Sequence, residues 1–228
     1  LRGLLDVKVW ICKMREKENI MGKTQKRLAA IVLAAVMTLS FAACGKEFDA
    51  KGYVQAVMDA KYQRNYDAYA KAIGVTVEEA KEQMEGEFNE SLEQEVQSSG
   101  MEATEEEIAQ YQQLEADFRA KIKYEVKDAV KDADDNYTVD VEVTPNNAYS
   151  LLQDGIEAKL TEAMNNGVDM NGFMGVFLEF EKECINNSEE LDPITVTLHV
   201  TYEEKGNQRI YSISDDEMMD LDQKIMGQ

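Results

Sequence analysis

The segment ITVTLHVTY, residues 194–202, decides the fold class of this chain. Apolar and polar side chains alternate along it, and a period of two is typical of a strand with one buried side and one solvent-facing side. The segment YTVDVEVT at residues 137–144 alternates in the same way, and the polar run DADDN at 132–136 precedes it. Asp and Asn favour turns because their side chains bond the nearby backbone. Both segments therefore predict hairpin strands with one apolar face.

Each of these strands has a neighbouring segment that can complete a hairpin. Residues 122–130 alternate before the first turn, and residues 210–213 follow the second turn, EKGN at 204–207. A lone hairpin is only marginally stable in water, so the two hairpins are expected to join. We predict an α+β fold in which two β-hairpins form one antiparallel four-stranded sheet with helices packed on it.

Helical periodicity fills most of the remaining sequence. The patterns TVEE at 76–79, TEEE at 104–107 and SDDE at 214–217 are typical of capping boxes, in which a Ser or Thr and a Glu bond the first backbone N–H groups of a helix. Apolar residues recur every three or four positions behind each pattern. We therefore expect N-terminal helices, further helices between the hairpins, and a C-terminal helix.

An export signal is predicted near the start of the chain. Basic residues follow Met21, and the next 16 residues, 28–43, carry no charge. This is shorter than the roughly 20 apolar residues that a membrane-spanning helix needs. It is typical of the apolar core of a signal peptide, which we assign to residues 21–43.

The end of this segment, Ser40-Phe41-Ala42-Ala43-Cys44, resembles the lipobox of bacterial lipoproteins. The resemblance implies cleavage between Ala43 and Cys44, attachment of diacylglycerol to the Cys44 thiol, and a protein anchored in the membrane by this lipid. It also implies a location on the extracytoplasmic face of the bacterial cell membrane. Phe41 departs from the family, which usually has Leu or another aliphatic residue there. The alternative is an uncleaved anchor or an ordinary signal peptide in which Cys44 is incidental.

Residues 1–20 stand in front of an otherwise complete signal peptide. Lys17-Glu18 can be encoded as AAG-GAG, a bacterial ribosome-binding sequence, shortly before the Met21 codon. We therefore expect residues 1–20 to be upstream sequence translated by an over-long gene assignment.

The expected organisation of the processed chain is simple. Residues 44–47 are predicted to be a lipid-anchored tether, and residues 48–228 a single acidic α+β domain. The whole chain has 24 Lys and Arg against 45 Asp and Glu, a net charge of −21. Nucleic-acid binding needs clustered positive charge, so the composition argues against a nucleic-acid partner.

Cysteine and histidine are too few for a zinc site, since the chain has three Cys and one His. Cys184 is the only cysteine after Cys44, so no internal disulfide is expected in the processed chain. The sequence contains no cofactor motif, and we predict neither a cofactor nor a metal.

Four short motifs in the main part of the chain resemble small lipoproteins of unknown function from Gram-positive gut bacteria of the clostridial kind. They are FDAKGYV at 48–54, YDAY at 66–69, VEEA at 77–80 and YSIS at 211–214. Several such proteins look like the nuclear transport factor two-like or cystatin-like α+β cone. The resemblance implies a curved sheet and a cavity, and no particular activity.

His199 is the only histidine, and strand parity places it on the polar face between Thr197 and Thr201. These three residues are the candidate ligand-binding group of the sheet. A catalytic base needs an orienting partner and a nucleophile, and the sequence offers no recognisable nucleophile motif. A solvated strand histidine is the alternative interpretation. Cys184 is expected to be a small buried apolar residue.

Acidic clusters offer only weak evidence for metal binding or catalysis. Asp132, Asp134 and Asn136 have the first spacings of a calcium-binding EF-hand loop, but Tyr137 and Val143 stand where Gly and Glu are needed. A hairpin turn explains them. The acids at 78–79, 105–107 and 215–216 could suggest carboxylate chemistry, but all stand at predicted helix starts, where capping explains them.

The sequence favours a non-catalytic binding or interaction module whose partner is an unknown protein or envelope ligand. One alternative is a carboxylate-dependent envelope hydrolase. Another is the small-ligand-binding component of a transport system, although such proteins usually have two lobes built on parallel sheets. Two or more carboxylates converging in one apolar pocket would favour the enzyme.

Overall fold

A computed structural model describes residues 37–40, 47–205 and 208–226. Within these residues the chain forms seven α-helices and five strands. The helices are α1 (Ala50–Gln63), α2 (Asp67–Ile73), α3 (Val77–Ser99), α4 (Glu105–Ala120), α5 (Ala148–Asn165), α6 (Phe173–Asn187) and α7 (Asp215–Ile225). The strands are β1 (Met37–Ser40), β2 (Lys123–Lys131), β3 (Tyr137–Thr144), β4 (Ile194–Lys205) and β5 (Gln208–Ile213). The predicted α+β class is confirmed.

One antiparallel sheet has the strand order β1-β5-β4-β3-β2. The two predicted hairpins, β2–β3 and β4–β5, lie side by side because β3 pairs with β4, with Val141 opposite Val196 and Val139 opposite Leu198. The four-stranded hairpin sheet is therefore present as predicted. The short strand β1 adds to its edge by pairing with β5, and β1 comes from the segment predicted to be a signal peptide.

The apolar face of the sheet and two helices form the main core. Helix α1 packs on β2 and β3, and α7 packs on β4. Val139, Val141 and Leu198 are fully buried, whereas Thr197 and His199 on the opposite face of β4 are exposed. The strand parity read from the sequence is confirmed, and the second face of β4 faces solvent.

The predicted helix starts are confirmed by their side-chain bonds. Thr76 and Thr104 each accept a hydrogen bond from the backbone N–H of the Glu three positions later, and that Glu bonds back. Ser214 accepts in the same way from the N–H of Glu217 at the start of α7. These caps fix where α3, α4 and α7 begin.

Strand β2 departs from simple alternation. Val130, which the sequence pattern placed on the apolar face, is 68 % exposed. The register between β2 and β3 shifts between Val126 and Ala129. An extra residue in one strand reverses the side on which later side chains lie, so the shift turns Val130 outward.

The helices α3, α4 and α6 share a second, smaller apolar cluster. Its buried members are Leu92, Val96, Tyr111, Met174 and Leu178. None of the helices in the described part of the chain is long and apolar enough to cross a membrane.

Candidate functional site

A cavity of about 480 Å³ opens beside this second cluster, among helices α3, α4, α5 and α6. Its apolar lining includes Val96, Leu152, Leu160, Met174 and Phe177. Ligand pockets typically have volumes of roughly 300–1,000 Å³ and mostly apolar walls with a few polar groups. The size and the lining of this cavity therefore suit a small ligand with an apolar body.

Three glutamates from three different helices line the same cavity: Glu95 on α3, Glu115 on α4 and Glu181 on α6. Each follows a buried apolar residue by one helical turn. Glu95 follows Leu92, and Glu181 follows Leu178, so each carboxylate extends the apolar stripe of its helix. Glu181 is only 4 % exposed. Ionised carboxylates are costly to bury, so this convergence needs an explanation.

Glu115 and Glu181 form a hydrogen-bonded pair of carboxyl groups. Burial and the neighbouring Glu115 raise the pKa of Glu181 to about 10. Burial also raises the pKa of Glu115, although the positive charge of Arg119 and the bond from Glu181 oppose this shift. Two adjacent carboxylates cannot both ionise at low cost. Glu181 therefore keeps its proton at neutral pH and donates it to Glu115.

Glu95 completes the acidic side of the cavity. Burial and the charge of Glu115 raise its pKa to about 7, while a hydrogen bond with Tyr111 opposes the rise. Burial and the nearby carboxyl groups also raise the pKa of Tyr111 well above its ordinary value. Glu95 therefore changes its charge in the neutral pH range, and the Tyr111 hydroxyl stays protonated there.

Arg119, one turn after Glu115 on α4, partly compensates the acids. Its guanidinium lies 4.4 Å from the centre of the Phe88 ring, in a cation–π arrangement. Its positive charge lowers the pKa of both Glu95 and Glu115. Because Arg119 does not line the cavity, a ligand would meet the carboxyl groups before the guanidinium.

One polar atom of the pair has no partner. Oε2 of Glu181 is buried and receives no hydrogen bond from any residue that the structure describes. A much smaller cavity of about 20 Å³ also touches Glu115 and Glu181, and this is room for one water molecule. The carboxyl pair thus lies between a ligand-sized cavity and a water-sized one.

A larger cleft of about 760 Å³ lies elsewhere, between α1, the start of β2 and the end of α6. Several of its polar side chains already have partners. Asp59 accepts hydrogen bonds from Tyr124 at 2.5 Å and from Gln55 at 2.7 Å. The Lys123 ammonium lies 2.5 Å from the Glu190 carboxylate. This cleft therefore offers a ligand fewer unsatisfied groups than the cavity of α3 to α6.

The sheet residues singled out in the sequence lie on the exposed face of β4, and none lines the three cavities described above. His199 contacts Glu217, with Nδ1 2.5 Å from Oε1. The Thr197 hydroxyl donates to Asp140 at 2.7 Å, and Thr201 donates to the carbonyl oxygen of Ser212 at 3.1 Å. Each of the three side chains therefore has a partner within the protein. A ligand-binding role for them stays a prediction.

The acidic turn at 132–136, Cys184 and the lipobox are the remaining residues that the sequence singled out. Asp132 accepts hydrogen bonds from the backbone of Asp134 at 2.8 Å and of Asn136 at 2.9 Å, so these residues form the expected hairpin turn. Cys184 is buried as expected. The lipobox residues Ala43 and Cys44 lie outside the described residues.

Glu95, Glu115 and Glu181 are not among the residues predicted from the sequence, because the acidic candidates there are paired acids. The paired acids stand at helix starts, where Glu79 and Glu107 serve as capping residues. The available signal was a single Glu at a position where the helical period requires an apolar side chain. This signal is a single residue in each helix. It indicates a site only when the packing of the three helices is known.

The chain shares its fold with a protein of known structure. No protein-family model matches the chain, and no curated protein matches it. Among solved structures the chain is similar to YcdA of Bacillus subtilis, reported as a "putative lipoprotein", at 15 % identity and a TM-score of 0.55. The match covers 78 % of this chain and 55 % of YcdA, so this chain spans about half the length of that protein. At this identity the likeness concerns the fold alone.

Proposed function

We propose that this protein is a lipid-anchored binding protein on the extracytoplasmic face of a bacterial membrane. In this proposal its site is the cavity among α3, α4, α5 and α6, which holds a small ligand with an apolar body. The anchor rests on the lipobox-like sequence ending at Cys44, and the fold likeness to a protein described as a lipoprotein agrees with it. A cystatin-like cone stays a prediction from the sequence resemblance.

The buried Oε2 of Glu181 carries the proposal. A buried carboxyl oxygen without a partner costs stability, and protein interiors rarely keep such a group. Glu181 lines the cavity, beside apolar walls that a ligand can cover. A ligand that donates a hydrogen bond to this oxygen would remove the cost of leaving it unpaired.

Octanol is a suitable first probe because it combines an apolar chain with one hydrogen-bond donor. Its binding is measured from the amide chemical shifts of the isotope-labelled chain. Gln153 is exposed and lines the cavity, so Gln153→Trp should block it and weaken octanol binding at least about tenfold. Gln110→Trp, on an exposed part of α4 away from the cavity, is the matched control and should leave binding unchanged.

The outcome decides the proposal. Octanol-dependent shifts confined to the cavity residues, lost only in Gln153→Trp, would support it. An absence of binding to the wild-type chain by octanol and by charged analogues of the same chain length, or equal octanol binding by both Trp variants, would contradict it.

A hydrolase is the second candidate, favoured by the shared proton of Glu115 and Glu181. Glycosidases hold their two carboxyl groups at least about 5 Å apart, which a directly hydrogen-bonded pair does not match. Aspartic proteases, in contrast, use two adjacent carboxyl groups that share one proton. Cleavage of an unfolded protein such as reduced casein, lost in Glu115→Gln, would favour this candidate over binding alone.

A further inference from the structure

The polar lining of the cavity restricts the head group that a ligand can carry. The ionisable groups that face it are Glu95 from α3, Tyr111 and Glu115 from α4, Tyr149 from α5 and Glu181 from α6. Three of these five are carboxyl groups, and the lining contains no Lys, Arg or His. An anionic head group would therefore enter an acidic site with no cation in contact.

We propose that the ligand of this cavity is an amphiphilic amine whose ammonium group is held by the Glu181, Glu115 and Glu95 carboxyl groups. This inference rests on the proposed function, since it names the head group of the ligand that occupies the same cavity. An ammonium has three N–H donors and a positive charge, so it can bond all three acids and offset their repulsion. Oε2 of Glu181 is buried without a hydrogen-bond partner in the described part of the chain, and an ammonium that reached it would supply one.

Binding of the amine requires a proton to leave. Before the amine binds, Glu181 shares a proton with Glu115, which keeps two adjacent carboxylates from being charged together. The incoming ammonium supplies the positive charge and the hydrogen-bond donors that this proton provided. The proton then passes to solvent, and both carboxylates are charged around the ammonium. No covalent bond to carbon or nitrogen changes in this step.

The walls of the cavity suit the rest of such a ligand. Leu152, Leu160 and Met174 are buried, and Phe177 and Tyr111 pack edge to face with ring centres 5.6 Å apart. Aromatic rings also attract cations over their faces. The net charge of −21 over the whole chain adds a long-range attraction for cations.

Octylamine, octanol and octanoate form a matched probe series with one apolar chain and three different head groups. Isothermal titration at pH 7 should show octylamine binding at least about tenfold more tightly than octanol, since a charge-assisted bond outweighs a neutral one. Octanoate should bind more weakly than octanol. Titration in two buffers with different ionisation enthalpies should show between about one and two protons released per octylamine bound, one from Glu181 and a fraction from Glu95, whose pKa is raised to about 7.

Glu181→Gln keeps the shape of the protonated glutamic acid but cannot ionise. We expect it to weaken octylamine binding at least about tenfold and octanol binding by no more than about threefold. Glu179→Gln makes the same substitution at an exposed position of α6 and should leave both affinities within about twofold. A fold defect in Glu181→Gln would weaken both probes, so the ratio of the two affinities is the informative quantity.

The results separate this inference from the proposed function. Octanol binding to the wild type without any preference for octylamine would overturn the amine and leave the cavity as a ligand site. An unchanged ratio of the two affinities in a Glu181→Gln chain that keeps the wild-type circular dichroism spectrum would do the same. Failure of all three probes to bind the wild-type chain would overturn the proposed function itself. Tighter binding of octanoate than of octylamine would also contradict the proposal that the ligand is an amine.

Discussion

The ammonium of Lys61 lies 2.6 Å from the carboxylate of Asp222, and both side chains are almost completely buried. This ion pair joins α1 to α7 across the apolar core, and the Tyr62 hydroxyl donates a further hydrogen bond to Asp222. Burying charges is costly unless they are paired and fully hydrogen-bonded. The pair therefore holds the C-terminal helix in one position on the first helix.

Asp222→Ala should lower the free energy of unfolding by about 3–5 kcal/mol, because it leaves the Lys61 ammonium buried without a counter-charge. The double variant Lys61→Met/Asp222→Ala should recover a large part of this loss, since no unpaired charge remains. Urea unfolding followed by circular dichroism measures both values. A double variant less stable than Asp222→Ala would show that the ion pair is not the source of the loss.

Stability should decrease as the pH rises from 5 to 8. The pKa of Glu181 is raised from its ordinary 4.5 to about 10 in the folded chain. In this pH range the unfolded chain has released that proton while the folded chain keeps it. A carboxyl group whose pKa is raised in the folded chain therefore contributes most to stability at low pH. This contribution is lost as the pH rises toward the pKa of the folded state. Glu95, with its pKa raised to about 7, contributes in the same direction.

Glu181→Gln should remove much of this pH dependence, because Gln needs no proton to be neutral. At pH 8 we expect the variant to exceed the wild type in stability by at least about 1 kcal/mol, and near pH 4.5 to differ little from it. Glu179→Gln is the control for the loss of one negative charge. Parallel pH profiles for the wild type and Glu181→Gln would contradict the assignment.

His199→Gln should change the free energy of unfolding by no more than about 0.5 kcal/mol, as is usual for surface substitutions. The His199 side chain is 58 % exposed, and its contact with Glu217 lies at the surface, where such contacts contribute little to stability. A loss above about 2 kcal/mol, or loss of octanol binding, would restore the polar sheet face as a candidate site.

Cys44→Ala tests the anchor. The wild-type protein expressed in a Gram-positive host should partition into the detergent phase, because its diacyl chains give stable membrane attachment. The variant should remain as full-length precursor or be released as soluble protein. Equal partitioning of a variant that has lost its signal peptide would contradict lipid attachment at Cys44.

The sequence predicts much of the architecture because each local rule acts within a few residues. Alternation placed Val139 and Val196 on the buried face, and the capping pattern located the start of α4 at Thr104. Val130 was misplaced because a register shift in β2 depends on the partner strand. Strand β1 was also missed, since residues 37–40 read as part of an apolar export signal.

The candidate site could not be predicted in the same way. Glu115 and Glu181 meet only because α4 and α6 pack together, and periodicity in a single sequence does not reveal which helices pack. The burial that raises their pKa values depends on this packing. Carboxylates that converge in one apolar pocket would favour an enzyme, and these residues meet that condition. Their direct hydrogen bond narrows the enzyme alternative to chemistry that uses a shared proton.

The titration of Glu181 tests the account most directly. The carboxyl carbon of Glu181, assigned in the isotope-labelled protein by comparison with Glu181→Gln, reports its protonation state as the pH is raised. The account predicts a midpoint near 10 in the free protein, far above its ordinary 4.5, and a lower midpoint when octylamine is bound. A midpoint close to 4.5 in the free protein, unchanged by octylamine, would contradict both the shared proton and the amine site.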